Sequence, residues 1–496
     1  MAKKTINKEL TGAQDLYNFL FEACNIIRGP VSQDNFKDYI TPLLYYKRIS
    51  DVYDEETEEA LISSGGDKEY ASLPEQHRFV IPDGCHWQEV RERTENFGAA
   101  IVGAMRQIEI ANPDTLYGVL SMFSSQKWTN KAILNDSKIR DLIEHLSKRK
   151  LGNKDYPADL MGDAYEILLK KFADDSKAQA GEFYTPRSVV RLLVHILDPQ
   201  PGETVYDPAC GSGGMLIEAI RYMHDDSLCC GSIFGQEKNV VNAAIAKMNL
   251  FLHGASDFNV MQGDTLRDPK ILQGGNIAKF DCVIANPLFS LENWGATEWS
   301  SDKYKRNIYG TPSDSCGDYA WIQHMICSMV SGQGRMAVVM PQGILFRNQE
   351  TEIRKQLVES DLIEAVVTLG DKLFYGTGLS PCFLIIRRMK PAHHSGRILM
   401  IDGSKILTQK RAQNILEEND IDRLYSLYQN YSDEEDYSRI VTLQEIRDKE
   451  YNLSPNRYVV YHKEEIRPYA EVLAEFKHAY EEVKRLEEEF SLLINA

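Results

Sequence analysis

The sequence has no long apolar run, no paired cysteine motif and no excess of basic residues. A membrane-spanning helix needs about 18 or more apolar residues in a row, and no stretch approaches that length, so we expect no membrane partner. The nine cysteines are scattered without a CxxC pair, which argues against a disulfide framework or a structural zinc site. The first residues, MAKKTINKELTG, have lysines without an apolar segment behind them. We therefore expect no secretion signal and a cytoplasmic protein.

Acidic residues outnumber basic residues in this chain, which limits how it could bind nucleic acid. Its formal net charge is −17, whereas a protein that binds DNA alone usually has a basic face, because phosphate contacts supply most non-specific affinity. If the substrate is nucleic acid, a local patch or a partner chain must hold most of it. The 496 residues, 43% hydrophobic and 26% charged, otherwise suit a globular protein of about two to four domains.

Three regions differ in their patterning. Residues 1–150 have apolar positions at helical spacing and predict an all-α N-terminal domain. Over 151–405, short β-branched runs alternate with helical segments, which predicts an α/β domain with a mostly parallel, doubly wound sheet. Residues 406–496 are polar and predict a C-terminal extension that ends in a charged helix. Apolar residues near a 3.5-residue repeat fit either packing on its own domain or docking onto a partner helix: Tyr469, Leu473, Phe476, Tyr480, Val483 and Phe490.

Flexible or acidic residues end the first two predicted strands. The strand ETVYD ends at Asp207, and the next residues, DPACGSGG, open a helix with Gly211, Gly213 and Gly214. Glycines there allow positive φ and close approach of the backbone to a ligand, but nucleotide, flavin and S-adenosylmethionine (SAM) sites all use such a turn. The next strand ends at Glu237, which suits a ribose diol or caps the following helix.

The third and fourth strands end in the same way. Asp264, in GDTL, could accept a hydrogen bond from an adenine amine or simply form a turn. Asn286-Pro287-Leu288-Phe289 follows the fourth strand, and Asn-Pro by itself is typical of turn initiation. Because the carboxyl ends of parallel strands meet at one edge of a sheet, four such endings in order indicate a ligand site.

In this order the motifs resemble those of the γ-class N6-adenine methyltransferases. More narrowly, the chain is similar to the modification (M) subunit of a type I restriction–modification system over about 155–460. The residues that carry the resemblance are GEFYTPR (181–187), DPACGSGG (207–214), GQE (235–237), GDTL (263–266), NPLF (286–289), GDYAWIQHM (317–325), LFYGTG (373–378) and YNLSPNRYV (451–459). The resemblance implies a SAM-dependent methyltransferase (Rossmann-like) fold with an all-α N-terminal domain and a C-terminal helical tail.

The resemblance also implies a SAM site. Asp207 would lie near the amino end of the cofactor, Glu237 would hold its ribose and Asp264 its adenine. Alternatively, Thr185 and Pro186 of the GEFYTPR motif have a structural role only and cap the following helix. Two motif segments would surround the methionine end: Glu182, Phe183, Tyr184, Thr185, Pro186 and Arg187, together with Gly211, Ser212, Gly213 and Gly214.

The NPLF segment is then the predicted catalytic loop. An adenine amine in a duplex must first be flipped out of the helix. The Asn286 Oδ1 atom and the Pro287 carbonyl would each accept one hydrogen bond from that amine, and Phe289 would stack on the base. The methyl group would pass directly, with no metal and no covalent enzyme intermediate. Leu288 stands where the family usually has a second proline, which puts the rate in doubt more than the reaction type.

No segment resembles a target-recognition domain, so we expect another chain to read the DNA sequence. The resemblance implies the partners: a specificity (S) subunit, a second M subunit, a restriction (R) subunit and double-stranded DNA. The loop after Phe289 mixes Trp294, Trp299, Lys303, Tyr304, Lys305 and Arg306. It predicts either a local DNA contact or a lid. Two alternatives remain open: a SAM-binding scaffold with little activity, and a methyltransferase that acts on RNA or on glutamine in protein.

Overall fold

The N-terminal region is a bundle of helices. The computed structural model describes residues 2–116, 118–120, 128–175, 185–223, 232–255, 257–374, 380–410, 413–462 and 469–494. The helices of the first 175 residues are α1 (Ala2–Ile27), α2 (Lys37–Ser63), α3 (Lys68–Ala71), α4 (Trp87–Arg91), α5 (Phe97–Ala111), α6 (Pro113–Leu116), α7 (Asp136–Leu146) and α8 (Ala158–Asp175). Helix α2 continues through Pro42, which lies inside it.

A mixed sheet forms the centre of the rest of the chain. Its strands are β1 (Val205–Asp207), β2 (Ile233–Glu237), β3 (Phe258–Gln262), β6 (Cys282–Ala285), β7 (Arg335–Pro341), β8 (Ile363–Leu369), β9 (Pro381–Arg387), β10 (Arg397–Gly403) and β11 (Ser438–Thr442). They lie in the order β11-β10-β8-β9-β7-β6-β1-β2-β3, while β4 (Leu272–Gln273) and β5 (Asn276–Ile277) form a separate hairpin. Among the described strands of the large sheet, β9 runs antiparallel to its neighbours β7 and β8, and β11 runs antiparallel to β10.

Helices cover both faces of this sheet. They are α9 (Arg187–Leu197), α10 (Gly214–Met223), α11 (Val240–Leu252), α12 (Ala296–Ser300), α13 (Asp318–Ser328), α14 (Thr351–Glu359), α15 (Glu418–Asn430) and α16 (Leu443–Asp448). The C-terminal helix, α17 (Tyr469–Ile494), has mostly exposed side chains among those described. The core on one face includes side chains of α9, α10 and α15. The core on the other face includes side chains of α13 and α14. The predicted class, an α/β doubly wound sheet with an all-α N-terminal domain, is confirmed.

Strand β6 shows why both faces are buried. Cys282 and Ile284 contribute to one core, and Val283 and Ala285 contribute to the other. Successive side chains of a strand point to opposite faces, so a strand covered on both sides reads as a continuous apolar run. All four side chains are fully buried, and the strand leaves the core only at Asn286.

Helix α11 joins the N-terminal bundle to the sheet. Ile245, Met248 and Phe251 pack in the bundle core, whereas Ala246 and Leu250 pack against the sheet. The helix that follows the second strand therefore packs against both regions and joins the bundle to the sheet.

The sheet extends further along the chain than the sequence predicts. Each strand predicted from sequence is present, but β10 and β11 were not predicted. Strand β11 lies within the range assigned to the C-terminal extension, and its Ile440 pairs with Leu399 of β10. No helix in the described parts of the chain is long and apolar enough to cross a membrane.

Candidate active site

The four strand ends singled out from the sequence lie side by side in the sheet. Strand β1 pairs in parallel with β2 on one side and with β6 on the other, and β2 pairs in parallel with β3. Asp207 and Glu237 are the last residues of β1 and β2, Asp264 comes two residues after β3, and Asn286 directly follows β6. The sheet therefore brings these four side chains to one edge.

The glycine turn after β1 has a defined geometry. Gly211 and Gly213 have φ of 53° and 84°, a backbone region that favours glycine over residues with a Cβ atom. The Gly213 N–H donates to the Cys210 carbonyl at 2.7 Å, and Asn249 Nδ2 donates to the Ser212 carbonyl at 3.0 Å. Helix α10 begins at Gly214, so its N-terminal N–H groups face the same edge.

Glu237 is fixed by the backbone around it. One carboxylate oxygen accepts from the Gly211 N–H at 3.0 Å and the other accepts from the Asn239 N–H at 2.7 Å. Burial raises the pKa of Glu237, and the bonds from Asn239 and Gly211 oppose that rise. Asn239 is itself the N-cap of α11. Glu237 therefore links the glycine turn to the end of β2, and its remaining lone pairs can accept from a ligand hydroxyl.

Asp207 is the most strongly perturbed carboxyl group of this edge. Burial raises its pKa to about 8; a bond from the Ala209 N–H lowers it, and the negative charge of Glu237 raises it. A cationic ligand beside these two carboxyl groups would be attracted to their ionised forms. This donor set fits the amino group and hydroxyls of SAM.

Asp264 has both a turn role and a charged partner. Its Oδ1 atom accepts from the Leu266 and Arg267 N–H groups, each at 3.2 Å. Its Oδ2 atom lies 2.8 Å from Lys238 Nζ. The turn predicted as an alternative from sequence is therefore present, and contact with a cofactor adenine stays a prediction.

Asn286 joins the NPLF loop to the GEFYTPR motif. Its Nδ2 atom donates to Thr185 Oγ1 at 2.8 Å. The Oδ1 atom is buried and has no hydrogen-bond partner in the structure. Pro287 is buried, whereas the Leu288 side chain is 51% exposed. The loop thus presents an unused amide acceptor beside Thr185.

A buried carboxylate holds the loop immediately after the motif. Ser290 has a φ of 51°, and its N–H donates to Asp318 Oδ1 at 2.7 Å. Asp318 is fully buried and also pairs with Arg347 through its Oδ2 atom. Arg347 Nε in turn lies 3.1 Å from Glu350 Oε2. Asp318 belongs to the GDYAWIQHM motif, which carries part of the family resemblance, but the sequence alone predicted no role for this residue.

An aromatic neighbour of Phe289 was also missed. Phe289 packs partly buried, and its ring centroid lies 6.4 Å from that of Phe374, with the planes tilted by 55°. Phe374 belongs to the LFYGTG motif, whose later residues, 375–379, lie outside the described part of the chain. Two aromatic rings therefore flank the exit of the loop.

The GEFYTPR motif is described only in part. Glu182, Phe183 and Tyr184 lie outside the described residues. Pro186 is the N-cap residue of α9 and makes no side-chain cap hydrogen bond. The Thr185 hydroxyl accepts from Asn286, so a capping role of Thr185 stays a prediction. Arg187 lies 3.6 Å from Asp163 and 3.7 Å from Glu218, so its guanidinium anchors the motif to α8 and α10, and a cofactor contact of this residue stays a prediction.

Near Arg187, three side chains lie close enough together to bind a metal ion. Asp163, Glu166 and His253 place ligand atoms within 4.8 Å of one another. Arg221 lies 2.6 Å from Asp163, and Arg187 lies 3.8 Å from Glu166. The guanidinium groups neutralise the carboxylates, so we assign the cluster to an ion-pair network.

The loop after NPLF is folded into the core. Trp294 and Trp299 are each 2% exposed, and their rings meet edge to face at 5.5 Å. Arg306 is buried, stacks on Trp299 at 4.5 Å and pairs with Asp302. The prediction of a DNA contact is therefore wrong for the two tryptophans, because aromatic residues that pack in the core cannot stack on bases.

Comparisons with known proteins identify the family of this chain. The family "N-6 DNA methylase" matches residues 156–466, and the "HsdM N-terminal domain" matches residues 16–146. The MjaVII type I restriction enzyme methylase subunit of Methanocaldococcus jannaschii is 34% identical over 90% of this chain and 78% of its own length. The HindI methylase subunit of Haemophilus influenzae is 31% identical over 70% of this chain and 76% of its own length.

A solved structure supports the same assignment. The type I restriction–modification system methyltransferase subunit from Streptococcus thermophilus superposes with a TM-score of 0.77 at 26% identity, covering 91% of this chain and 100% of its own. The chain belongs to the N-6 DNA methylase family, as a methylase (modification) subunit of the type I restriction–modification class.

Proposed function

We propose that this chain transfers a methyl group from SAM to the exocyclic amine of an adenine flipped out of double-stranded DNA. The observation that carries the proposal is the buried Asn286 Oδ1 atom, which has no hydrogen-bond partner. An unpaired buried acceptor costs about 1–3 kcal/mol, and native proteins seldom keep one without a function for it. Thr185 orients the amide so that this oxygen, and not the nitrogen, is the free end.

The adenine amine has the two N–H donors that such a loop requires. Asn286 Oδ1 would accept one and the Pro287 carbonyl the other. Both bonds favour a more tetrahedral nitrogen, whose lone pair then points away from the two acceptors. As the nitrogen gains positive charge during transfer, both bonds strengthen, so they stabilise the transition state more than the bound substrate.

The carboxyl edge of the sheet fits the cofactor. SAM, when bound, supplies a methyl group that its sulfonium charge has already activated. Asp207 would take the amino group, Glu237 the ribose hydroxyls and Asp264 the adenine, while the Gly211–Gly214 turn admits the backbone close to the ligand. The protein's own contribution is alignment of the amine with the methyl group.

Phe289, which is only partly buried, would stack on the extruded base. Flipping costs a few kcal/mol of stacking and pairing, and stacking on an aromatic side chain recovers part of it, by about 1–3 kcal/mol per base. Phe374 packs in the core and lies 6.4 Å from the Phe289 ring, centroid to centroid, so it supports Phe289 from behind.

Helix α17 would join the chain to a specificity subunit that reads the target sequence. Its apolar side chains recur on one face and are exposed: Phe476, Tyr480, Val483 and Phe490. An apolar stripe of this kind is typical of helix pairing. A complex of two such M subunits with one S subunit, joined by a restriction subunit, would supply the DNA contacts that a chain of net charge −17 does not provide by itself.

The catalytic proposal is tested by Asn286→Ala in the M–S complex, with Asn276→Ala on the β4–β5 hairpin as the control. We expect methylation of DNA to fall at least 10²–10³-fold in Asn286→Ala, the cost of removing one transition-state hydrogen bond, and SAM affinity to stay within about threefold. Asn276→Ala should match wild type. Full activity in Asn286→Ala would contradict the assignment of the loop, and a wild-type complex that binds SAM without methylating DNA would establish the scaffold alternative.

The docking proposal needs its own variants. Phe476→Ser with Phe490→Ser removes two large apolar side chains from the exposed stripe of α17, whereas Glu481→Ser with Glu488→Ser changes exposed polar positions of the same helix. We expect co-purification with the S subunit to be lost in the first double variant and kept in the second. Equal recovery of the S subunit with both would exclude this face as the docking surface.

A further inference from the structure

A polar cleft beside the active site has no role in the chemistry described above. It has a volume of about 480 Å³. One wall carries Phe346, Asn348 and Thr351, and the other carries Lys449, Asn452 and Arg457. The second wall belongs to the YNLSPNRYV motif and the lysine before it, which the SAM and base sites do not use.

The cations of the cleft lack carboxylate partners. Arg354, buried at its floor, donates to the Tyr451 carbonyl at 2.8 Å, the Arg347 carbonyl at 2.9 Å, and at 3.3 Å to both the Ile344 carbonyl and Thr351 Oγ1. All four acceptors are neutral. Arg354 also acts electrostatically on the buried Glu350 carboxylate, which already lies 3.1 Å from Arg347 Nε, so Arg354 adds positive charge to the cleft without an ion pair of its own.

Lys449 and Arg457 add to that potential. Lys449 donates to the Arg457 carbonyl and lies 4.2 Å from the centre of the Tyr458 ring. Among the described residues neither side chain forms an ion pair with a carboxylate, whereas the neighbouring Arg447 pairs with Glu359. Three cations therefore face one carboxylate of the lining, Glu450, which predicts an anion site.

The cleft adjoins the catalytic loop. Arg347, between Phe346 and Asn348 of the first wall, pairs with Asp318. The other oxygen of Asp318 accepts from the N–H of Ser290, the residue after Phe289. The two walls are joined by the Leu453 N–H, which donates to the Leu345 carbonyl at 2.9 Å. The cleft is thus connected to the loop that receives the flipped base through Arg347 and Asp318.

We infer that this cleft binds a backbone phosphate of the DNA next to the target adenine, an inference that rests on the function proposed above. Arginine, lysine, asparagine and hydroxyl side chains are the usual partners of DNA phosphates. A base held at NPLF keeps its own backbone close to the loop, and the cleft offers the phosphate a local positive potential in an acidic chain. Free phosphate shares this chemistry and must be distinguished by experiment.

The test compares two double variants in the M–S complex. Lys449→Gln with Arg457→Gln removes two cations from the cleft. Lys279→Gln with Arg397→Gln is the matched control, since Lys279 also donates to a backbone carbonyl, Arg397 is also exposed, and both lie at the opposite edge of the sheet. DNA affinity is measured between 50 and 200 mM salt, on target and non-target duplexes.

Each phosphate contact contributes about 0.9 to the slope of log affinity against log salt. Because the cleft holds one phosphate, the cleft variant should lose about 0.9 from that slope, so that a fourfold rise in salt weakens its binding about 3.5-fold less than it weakens wild type. The loss should be equal on target and non-target DNA, and the control should keep the wild-type slope.

Two results would overturn the inference without touching the proposed function. One is an unchanged slope in the cleft variant of a complex whose wild-type form methylates DNA. In the other, inorganic phosphate raises the melting temperature of wild type but not of the cleft variant, while the salt slope of DNA binding is the same in both. That combination would identify a site for free phosphate. Failure of the wild-type complex to methylate DNA would instead contradict the proposed function.

Discussion

Two segments beside the NPLF loop have similar composition and opposite surroundings. The loop over 291–310 mixes tryptophan, tyrosine, lysine and arginine, and the cleft segment over 449–458 mixes tyrosine, lysine and arginine. In the first, Trp294, Trp299 and Arg306 are buried in the core. In the second, Lys449 and Arg457 line a cleft without ionic partners. The same residue types therefore stabilise the fold in one place and are available to a ligand in the other.

The first prediction breaks the buried segment. Arg306→Ala removes a guanidinium that donates to Asp302 and to the carbonyls of Thr265 and Leu266, so Asp302 is left as a buried unpaired charge. We expect the free energy of unfolding in denaturant to fall by about 3–5 kcal/mol. Lys303→Ala, at an exposed position of the same loop, should change it by about 0.5 kcal/mol or less. Equal small effects would mean that the loop is not anchored through Arg306.

The second prediction concerns the link between the segments, Asp318. Asp318→Ala leaves the Ser290 N–H without its acceptor, and a misplacement of about 1 Å costs up to about 10²-fold in rate. We expect kcat for methylation to fall about tenfold or more, while KM for SAM stays within about twofold. Asp318→Asn keeps an oxygen for Ser290 and should recover most of the rate. Equal losses in both variants would assign the effect to the ion pair with Arg347.

The third prediction uses the raised pKa of Asp207. Its folded-state pKa is about 8 against an ordinary value of 3.8, so the folded chain keeps a proton that the unfolded chain releases. Stability therefore falls as pH rises from about 4 to about 8. The side chain introduced by Asp207→Asn cannot ionise, so the variant does not lose this stability as pH rises. Without SAM, its melting temperature should therefore rise relative to that of wild type between pH 5 and pH 8. A constant difference would contradict the raised pKa.

The smallest effect is expected from Leu288→Pro. Leu288 is half exposed, and Asp318 already fixes the next turn of the loop through Ser290. Added stiffness at this position should change kcat by less than about threefold, in contrast to Asp318→Ala. A tenfold gain in initial rate would show that loop stiffness limits this chain.

The sequence predicted the parts of the fold that repeat a simple pattern. Apolar strands such as β6 and β7 follow from continuous hydrophobic runs, and the four strand endings follow from topology. Strand β11 was missed because it is short and lies in a polar, acidic segment. Its pairing with β10 depends on residues about 40 positions away, as with Leu399 and Ile440.

Long-range contacts explain what the sequence could not predict at the site. Asn286 and Thr185 are 101 positions apart, so the orientation of the amide, and with it the unused oxygen, needs the folded chain. The cleft likewise combines Arg354 with Lys449 and Arg457. Burial of Trp294 and Trp299 was not visible either, because a loop without periodicity gives no signal of which side chains face the core.

The most direct measurement is modification-sensitive sequencing of genomic DNA from cells that express this chain with its S subunit, beside an Asn286→Ala control. The account predicts N6-methyladenine at one bipartite motif in the wild-type sample and its absence from the control. Unmodified DNA in both samples, with the complex assembled and SAM bound, would contradict the assignment of Asn286 and its loop as an adenine methylation site.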